Sequence, residues 1–228
     1  MDTKDMIIYL LVLAGIGIGL GFIMVGASSK RRRAKRNLET AKRIARIKNM
    51  DIVEVKDYNA IPDEYVALCI KSTGNNAVSD DIVDICALKV IDGKIKEQFS
   101  QLVHPRIAVP TSVLVELGIS EKNLNKKPPI ENVTPELVRF IGNIPIITYN
   151  ADITTKFLVA NSESELDNKC IDIVSLSKSV YSDLDKYRIR DIAKKCNVEN
   201  PSVHTALNDC KVICRCYEVL KRAKTTLR

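Results

Sequence analysis

Residues 204–209 read His204-Thr205-Ala206-Leu207-Asn208-Asp209, and they open the last helix that the sequence predicts. From Thr205 to about Lys224, apolar side chains recur at helical spacing, which is typical of a helix that packs one face on a core. The imidazole and the carboxylate at its start belong to residue types that serve as a general base and as a metal-binding group. The start of this helix is therefore a candidate functional site.

This helix is predicted to end one α/β domain that spans residues 61–224, which is long enough for a single sizeable core. Three strands come first, and Asp92-Gly93 between the second and the third is a strong signal for a two-residue hairpin turn. Pro105 and Pro110 then indicate an irregular connection. The three predicted strands are residues 65–70, 82–91 and 95–103.

In the second half of the domain, strands alternate with helices. Thr134-Pro135-Glu136 predicts the start of a helix, with an N-cap, a proline at the first position and an acid in the first turn, and this helix runs to Gly142. Three strands followed by alternating elements predict a mixed sheet with helices on both faces. The further predicted elements are strands at 145–149 and 170–174 and helices that include 156–158, 188–196 and 205–224.

Five stretches of this domain match a known family pattern in order and spacing. They are Tyr65-Val66-Ala67-Leu68-Cys69-Ile70-Lys71-Ser72-Thr73-Gly74, Asp81-Ile82-Val83-Asp84-Ile85-Cys86-Ala87, Leu102-Val103-His104-Pro105 with Leu117-Gly118-Ile119-Ser120, Tyr149-Asn150-Ala151-Asp152-Ile153-Thr154, and His204 to Asp209. Together, over residues 61–222, they resemble the DEDDh 3′–5′ exonucleases, the family of the proofreading subunit of bacterial replicative DNA polymerase. The resemblance implies an RNase H-like fold, a mixed sheet flanked by helices.

The same resemblance implies a chemistry for which this chain lacks most of the residues. Enzymes of the family hold two Mg²⁺ ions with four carboxylates and activate water with a histidine. At the matching positions this chain has Cys69, Lys71 and Thr154 in place of three acids, and it keeps His204 and Asp209. One carboxylate cannot balance two divalent cations, and the Lys71 ammonium would repel a nearby ion. We therefore expect no active catalytic residues, no metal site and no cofactor, with Mg²⁺ or Mn²⁺ bound only if the domain is active by another site.

Without metal ions, the remaining site residues acquire structural roles. We expect Lys71 to approach Asp209 across the old cleft and to neutralise it, and we expect His204 to be a hydrogen-bonded packing residue. The competing hypothesis is that other acids rebuild a metal site. The acids available for this are Asp80, Asp81, Asp84 and Asp152.

The N-terminal part of the chain predicts a membrane anchor. Residues 6–27 carry no charge, and 22 residues of helix span roughly 33 Å, enough to cross a hydrocarbon core. Residues 1–5 form a short extracytoplasmic N-terminus, and the positive-inside rule places the rest of the chain in the cytoplasm of a single-pass cell-membrane protein. A cleaved signal peptide that ends at Val25-Gly26-Ala27 is the alternative, but the acidic start and the basic cluster after the apolar run disfavour it.

Residues 28–60 are predicted as a basic juxtamembrane segment and linker. The chain has a net charge of +7, yet residues 1–50 hold 11 Lys/Arg and three Asp/Glu, so residues 51–228 are close to neutral. A basic cluster beside a span binds anionic lipid, and a nucleic-acid arm is the alternative. Leu38 to Lys48 have the spacing of an amphipathic helix lying on the headgroups. The residues predicted at the membrane surface are Lys30, Arg31, Arg32, Arg33, Lys35 and Arg36.

The spacing of glycines bears on dimerisation, and the number of cysteines bears on disulfides. The pairs Gly15/Gly19 and Gly17/Gly21 allow close approach of two membrane helices, which is compatible with a homodimer. The seven cysteines are odd in number and lie mostly in apolar runs, so they are predicted to be buried thiols.

The sequence thus favours a membrane-anchored, catalytically inactive exonuclease-like domain that binds or scaffolds a protein partner. Two alternatives stay open. One is nucleic-acid binding without cleavage, for which the near-neutral charge of the domain predicts only weak affinity. The other is an active 3′–5′ exonuclease with a non-standard metal site.

Overall fold

The computed structural model describes residues 31–47 except Arg32, and residues 61–226 except Glu165. The predicted extracytoplasmic residues 1–5 and the predicted span at 6–27 lie outside these ranges. Within the described ranges, no helix combines the length and the apolar character that a membrane crossing requires.

A five-stranded sheet forms the centre of the domain, with the order β3-β2-β1-β4-β5. Strands β1, β2 and β3 are antiparallel, whereas β4 and β5 run parallel to β1, which confirms the predicted mixed sheet. The predicted hairpin is also confirmed, because Asp92 and Gly93 have φ angles of 50° and 71°, as a two-residue turn requires. The strands are β1 Glu64–Ser72, β2 Ile82–Ile91, β3 Lys94–Leu102, β4 Ile146–Thr148 and β5 Cys170–Asp172.

Helices cover both faces of the sheet. One apolar cluster places the long last helix, α8, against β1 and β2, and a second places α4 and α5 against the opposite face. The alternation of β1 explains the division, since Tyr65 and Ala67 belong to the first cluster and Val66 and Leu68 to the second. The helices are α1 33–47, α2 Thr111–Leu117, α3 Glu121–Leu124, α4 Ile130–Ile141, α5 Ala151–Asn161, α6 Ile173–Val180, α7 Ile189–Lys195 and α8 Ala206–Thr226.

The predicted start of α4 at Thr134 is wrong. The helix begins at Ile130, and Pro135 lies inside it. Ile130 and Val133 are buried one turn before the proline, so packing of the apolar stripe extends the helix backwards over the capping signal. Thr134 does not cap the helix, because its hydroxyl donates to the Ile130 carbonyl, 2.9 Å away.

Three short helices were not predicted. Helices α2 and α3 lie in the connection that Pro105 and Pro110 suggested to be irregular, and they have only seven and four residues. Helix α6 begins where a strand was expected to continue to Val174. Its sequence is rich in serine and β-branched residues, but the Asp172 carboxylate caps it by accepting a hydrogen bond from Val174 N.

The basic segment differs from the prediction at its C-terminal end. The chain divides into two compact units between Lys42 and Arg43, so Arg43–Ile47 belong with the domain although the predicted boundary was residue 61. In the predicted amphipathic helix, Leu38 is 57% exposed and Ile44 is 39% exposed, whereas Arg43 is only 4% exposed. The most deeply buried side chain among these three is therefore a charged one, because the domain offers Arg43 oxygen atoms as hydrogen-bond acceptors.

Candidate functional site

Five sequence-predicted positions meet at one cavity of about 370 Å³. Strand β1 contributes two of them, the first turns of α5 and α8 contribute one each, and one precedes α8. The resemblance therefore places the family positions correctly in space, even where the residue type differs. The five residues are Cys69, Lys71, Thr154, His204 and Asp209.

Helix α8 positions Asp209 through two capping contacts at its N-terminus. The Thr205 hydroxyl accepts a hydrogen bond from Asn208 N at 3.1 Å, as an N-cap residue does. The buried carboxylate of Asp84, on β2, accepts from Ala206 N at 2.8 Å. Burial raises the pKa of Asp84, and the Ala206 amide and the Lys71 ammonium oppose that rise. The helix start is thus fixed to the sheet at the level of the cavity.

Lys71 is a cation that lines the cavity, and it binds two carboxylates. Its Nζ lies 2.7 Å from Asp209 Oδ2 and 2.8 Å from Glu116 Oε1. Burial alone would lower the pKa of Lys71, but Asp209 and Glu116 outweigh burial, so the pKa is raised and the amine stays protonated. The predicted contact between Lys71 and Asp209 is confirmed.

His204 completes the environment of Asp209. Its Nδ1 lies 3.0 Å from Asp209 Oδ1, and its backbone N donates to the Glu116 carbonyl at 3.0 Å. Both oxygens of the Asp209 carboxylate therefore have a partner, Oδ1 the imidazole and Oδ2 the ammonium. The His204 side chain is 28% exposed, so the ring packs at the cavity wall with one edge open.

The other two substituted positions do not take part in this ion-pair network. The Thr154 hydroxyl accepts from Thr148 Oγ1 at 3.1 Å and donates to the Tyr149 carbonyl at 3.3 Å, which ties α5 to the end of β4. Cys69 is almost fully buried beneath the cavity. All seven cysteines are buried free thiols.

The donor set does not fit the two Mg²⁺ ions that the resemblance implies. Hard divalent cations require several anionic oxygens, and at the family positions only Asp209 has a carboxylate. Both of its oxygens are engaged, and the Lys71 ammonium lies within 3 Å of one of them. A metal ion there would have to displace a cation of the protein itself.

Of the four acids considered as a substitute metal site, Asp84 accepts from Ala206 N at the start of α8, and the other three lie elsewhere. Asp81 accepts from Arg43 and Arg106, and Asp80 accepts from the backbone N of Asn76. Asp152 forms an exposed pair with Lys156. In the part of the chain that the structure describes, no group of three or more His, Cys, Asp or Glu side chains is arranged to hold a metal ion.

Several cavity residues were missed by the sequence reasoning. Glu116 comes from α2, which was not predicted, and no motif marks it as a partner of Lys71. Arg188 and Arg190 line the other side, where Arg188 binds Asp191 through Nε at 2.7 Å and Nη2 at 3.2 Å. Asn200 also lines the cavity, and its buried Oδ1 has no hydrogen-bond partner.

Known proteins are similar to this chain over most of the domain. The exonuclease family profile matches residues 72–217. The chain is 32% identical over 162 residues to the DNA polymerase III PolC-type of Clostridium perfringens, which covers 70% of this chain and 11% of that protein. It is 28% identical over 155 residues to the DNA polymerase III subunit epsilon of Aquifex aeolicus, covering 66% and 77% respectively. This chain therefore corresponds to only about a tenth of the PolC-type proteins.

Solved structures show the same fold at lower identity. Exonuclease X in complex with 5′ overhanging duplex DNA superposes with a TM-score of 0.57 at 24% identity, over 71% of this chain and 92% of that one. Exonuclease I superposes with a TM-score of 0.59 at 14% identity, over 73% of this chain and 42% of the other.

Proposed function

This chain belongs to the exonuclease family and has its RNase H-like fold, and we propose that it is a membrane-anchored member whose cleft serves binding or scaffolding instead of hydrolysis. The polymerases and exonucleases named above act on DNA as their names state. Whether this chain retains any of that activity depends on the residues in its own cleft.

The ion pair between Lys71 and Asp209 carries the proposal. In this family the cleft must hold divalent cations, yet here a lysine supplies the positive charge at 2.7 Å from the remaining carboxylate. At an effective dielectric of about 20, an ammonium about 4 Å from a divalent ion opposes it by several kcal/mol. The Lys71 ammonium thus balances the charge of Asp209 in place of a metal ion, and we expect no metal-dependent hydrolysis in this cleft.

The same cleft retains features of a binding site. The cavity is large enough for a side chain or a small ligand, and the orphan Oδ1 of Asn200 can accept a hydrogen bond from a partner. The partner proposed here is a protein at the membrane.

Nucleic-acid binding without cleavage is the second candidate, and Arg188 and Arg190 favour it because they line the cavity with exposed guanidinium groups. Asp191 offsets one of these two positive charges, however, and Asp209 and Glu116 together carry one negative charge more than Lys71 balances. Strong backbone affinity requires clustered unpaired Lys/Arg. Binding to labelled single-stranded DNA and RNA at several salt concentrations separates the two candidates.

Membrane attachment rests on the apolar run at 6–27 and on the basic residues after it. We propose a single-pass cell-membrane protein with a cytoplasmic domain, whose exposed basic residues Arg31, Arg33, Lys35 and Arg36 contact anionic lipid. A homodimer through the pairs Gly15/Gly19 or Gly17/Gly21 is compatible with this arrangement.

Mn²⁺ binding tests the proposed loss of the metal site. The full chain in detergent is titrated with Mn²⁺, and the free ion is followed by electron paramagnetic resonance. We expect no site that depends on Asp209, so the wild type and Asp209→Asn should give the same titration. Stoichiometric Mn²⁺ binding that Asp209→Asn abolishes would contradict the proposal and favour the active exonuclease with a non-standard site.

A further inference from the structure

We propose that Arg43 is a latch that fastens the end of α1 to the domain and so keeps the domain close to the membrane. The latch rests on contacts within the described chain, whereas its consequence for reach rests on the membrane anchor proposed above. The latch lies outside the cleft, and Arg43 precedes the region that the family profile matches.

The Arg43 guanidinium occupies a cage of oxygen atoms. It is 4% exposed, and its two terminal nitrogens donate to five acceptors on two parts of the domain. A planar guanidinium has enough donors, in a fixed arrangement, to satisfy such a cage, which an ammonium could not do. The five acceptors are the carbonyls of Ala77 (3.4 Å), Val78 (3.3 Å) and Asp80 (3.0 Å), Asp81 Oδ1 (3.1 Å) and Asn161 Oδ1 (2.9 Å).

The loop that supplies four of the five acceptors has hydrogen bonds of its own. The loop between β1 and β2 closes on itself, because Thr73 N donates to the Asp81 carbonyl at 2.9 Å and Asp81 N donates to the Thr73 hydroxyl at 3.0 Å. Within the loop, Asp80 Oδ2 accepts from Asn76 N at 2.8 Å. These bonds orient the carbonyls of the loop, and the Arg43 guanidinium adds bonds to three of those carbonyls, so it opposes local opening of the loop.

Two neighbouring residues extend the contact to α5. Arg46 Nη1 donates to the Ala160 carbonyl at 3.0 Å, and Ile47 packs on the apolar cluster beneath α4 and α5. Arg43 itself reaches Asn161 at the end of the same helix. One turn of α1 therefore bridges the β1–β2 loop and the C-terminal end of α5.

Docking at Arg43 shortens the tether of the domain. The predicted span ends at residue 27, and with the latch closed only residues 28–42 separate it from the domain. These 15 residues, of which 33–42 are helical, reach at most roughly 35 Å even if the others were fully extended. If the domain instead began at residue 61, the connection to the membrane would comprise residues 28–60 and could reach roughly 85 Å. The latch thus restricts the domain to partners within a short distance of the bilayer.

Hydrogen exchange tests the latch itself, without reference to a membrane. The full chain in detergent micelles is compared with Arg43→Ala and with Lys42→Ala, a neighbouring exposed lysine outside the cage. In Arg43→Ala we expect the amides of Thr73, Ser79 and Asp80 to exchange on the order of tenfold faster, and Lys42→Ala to match the wild type. Asn161→Ala removes one acceptor only and should give a smaller increase. Unchanged exchange of these amides in Arg43→Ala would overturn the latch.

Energy transfer to labelled lipid tests the reach. The full chain in nanodiscs carries a donor on Lys194→Cys, an exposed position of α7, and the acceptors are in the lipid. Arg43→Ala with Arg46→Ala should lower the transfer efficiency, whereas Lys42→Ala should leave it unchanged. Equal efficiencies in all three proteins would overturn the short tether. A chain that fails to float with liposomes would contradict the membrane anchor instead, and the exchange result would still decide the latch.

Discussion

At the residue scale, Lys71 lies at the centre of the ion pairs in the cleft. It binds Asp209 and Glu116, and Asp209 also binds His204, so these four side chains form one connected set of contacts at the cavity. The pairing of Lys71 with Asp209 could be predicted from sequence, because the family fold sets β1 beside α8 and opposite charges replace a metal there. Glu116 could not be predicted, since a short helix of weak signal carries it and nothing in its neighbours marks it.

The energetic weight of this pair is the first prediction. Side-chain exposures of 18% for Lys71 and 11% for Asp209 place it between an exposed pair, worth about 0–1 kcal/mol, and a fully buried one, whose disruption costs about 3–5 kcal/mol. Lys71→Ala should therefore lower the free energy of unfolding by about 2 kcal/mol, because Asp209 loses its cation. Urea unfolding measures this loss.

Two variants complete that experiment. Adding Asp209→Asn to Lys71→Ala should recover part of the stability, since it removes the uncompensated charge. Lys156→Ala is the matched control, because Lys156 and Asp152 also lie 2.7 Å apart but at the surface, so its loss should stay within about 0.5 kcal/mol. Strictly additive effects of the Lys71 and Asp209 substitutions would contradict the interpretation.

The second prediction concerns the buried Asp84. Burial raises its folded-state pKa above the unfolded value, so the folded state binds the proton more tightly and the Asp84 contribution to stability falls as pH rises through that window. Asp84→Asn keeps an oxygen for Ala206 N and cannot ionise. Relative to the wild type, it should therefore gain stability as pH rises above the ordinary pKa of an aspartate, about 4, although Lys71 and Asp209 also face the site. A difference in unfolding free energy that stays constant or shrinks with rising pH would refute this account.

At the element scale, the long and strongly patterned elements could be predicted, and the short ones could not. Strand β2 and the hairpin at Asp92-Gly93 follow directly from burial on both faces and from turn chemistry. Helix α4 begins a turn earlier than its Thr-Pro-Glu signal because Ile130 and Val133 are buried before it. Helix α6 has weak intrinsic propensity and depends on the Asp172 cap and on burial of Ile173 and Leu176. Tertiary packing determines where α4 and α6 begin, and the local sequence alone does not predict that packing.

The N-cap of α8 gives the third prediction. Thr205 accepts from Asn208 N, so Thr205→Ala should reduce the unfolding free energy by about 1 kcal/mol, and Thr205→Ser should restore most of it. Thr225→Ala, at the exposed end of the same helix, provides the control, because the Thr225 hydroxyl only donates to the Lys221 carbonyl. If the two alanine variants unfold alike, Thr205 is not the cap that holds the start of α8.

At the scale of the whole molecule, charge and fold are separated along the chain. The basic excess lies in residues 1–50, whereas the domain that follows is close to neutral. The sequence predicted this separation but placed the domain boundary at residue 61. It could not predict that Arg43 packs on the domain, because three of its five acceptors are backbone carbonyls and the other two belong to Asp81 and Asn161, and only folding brings them together.

Orientation at the membrane is the fourth prediction. The basic residues that follow the apolar run should hold the domain on the cytoplasmic side. Protease added to intact cells should therefore leave the domain whole, and the same protease should digest it after the cells are permeabilised. Digestion in intact cells would show that the orientation is reversed.

The central claim is that the ion pairs of Lys71 occupy the place of metal ions in this cleft, and that metal-dependent hydrolysis is lost as a result. The most direct test is release of 3′ nucleotides from labelled single-stranded and duplex DNA by the purified full chain, with Mg²⁺ or Mn²⁺ present and an active exonuclease as positive control. Asp209→Ala, assayed beside the wild type, separates activity of this cleft from a contaminant. We predict no metal-dependent release from either protein, because three of the four carboxylate positions are Cys69, Lys71 and Thr154. Release by the wild type that Asp209→Ala abolishes would contradict the claim.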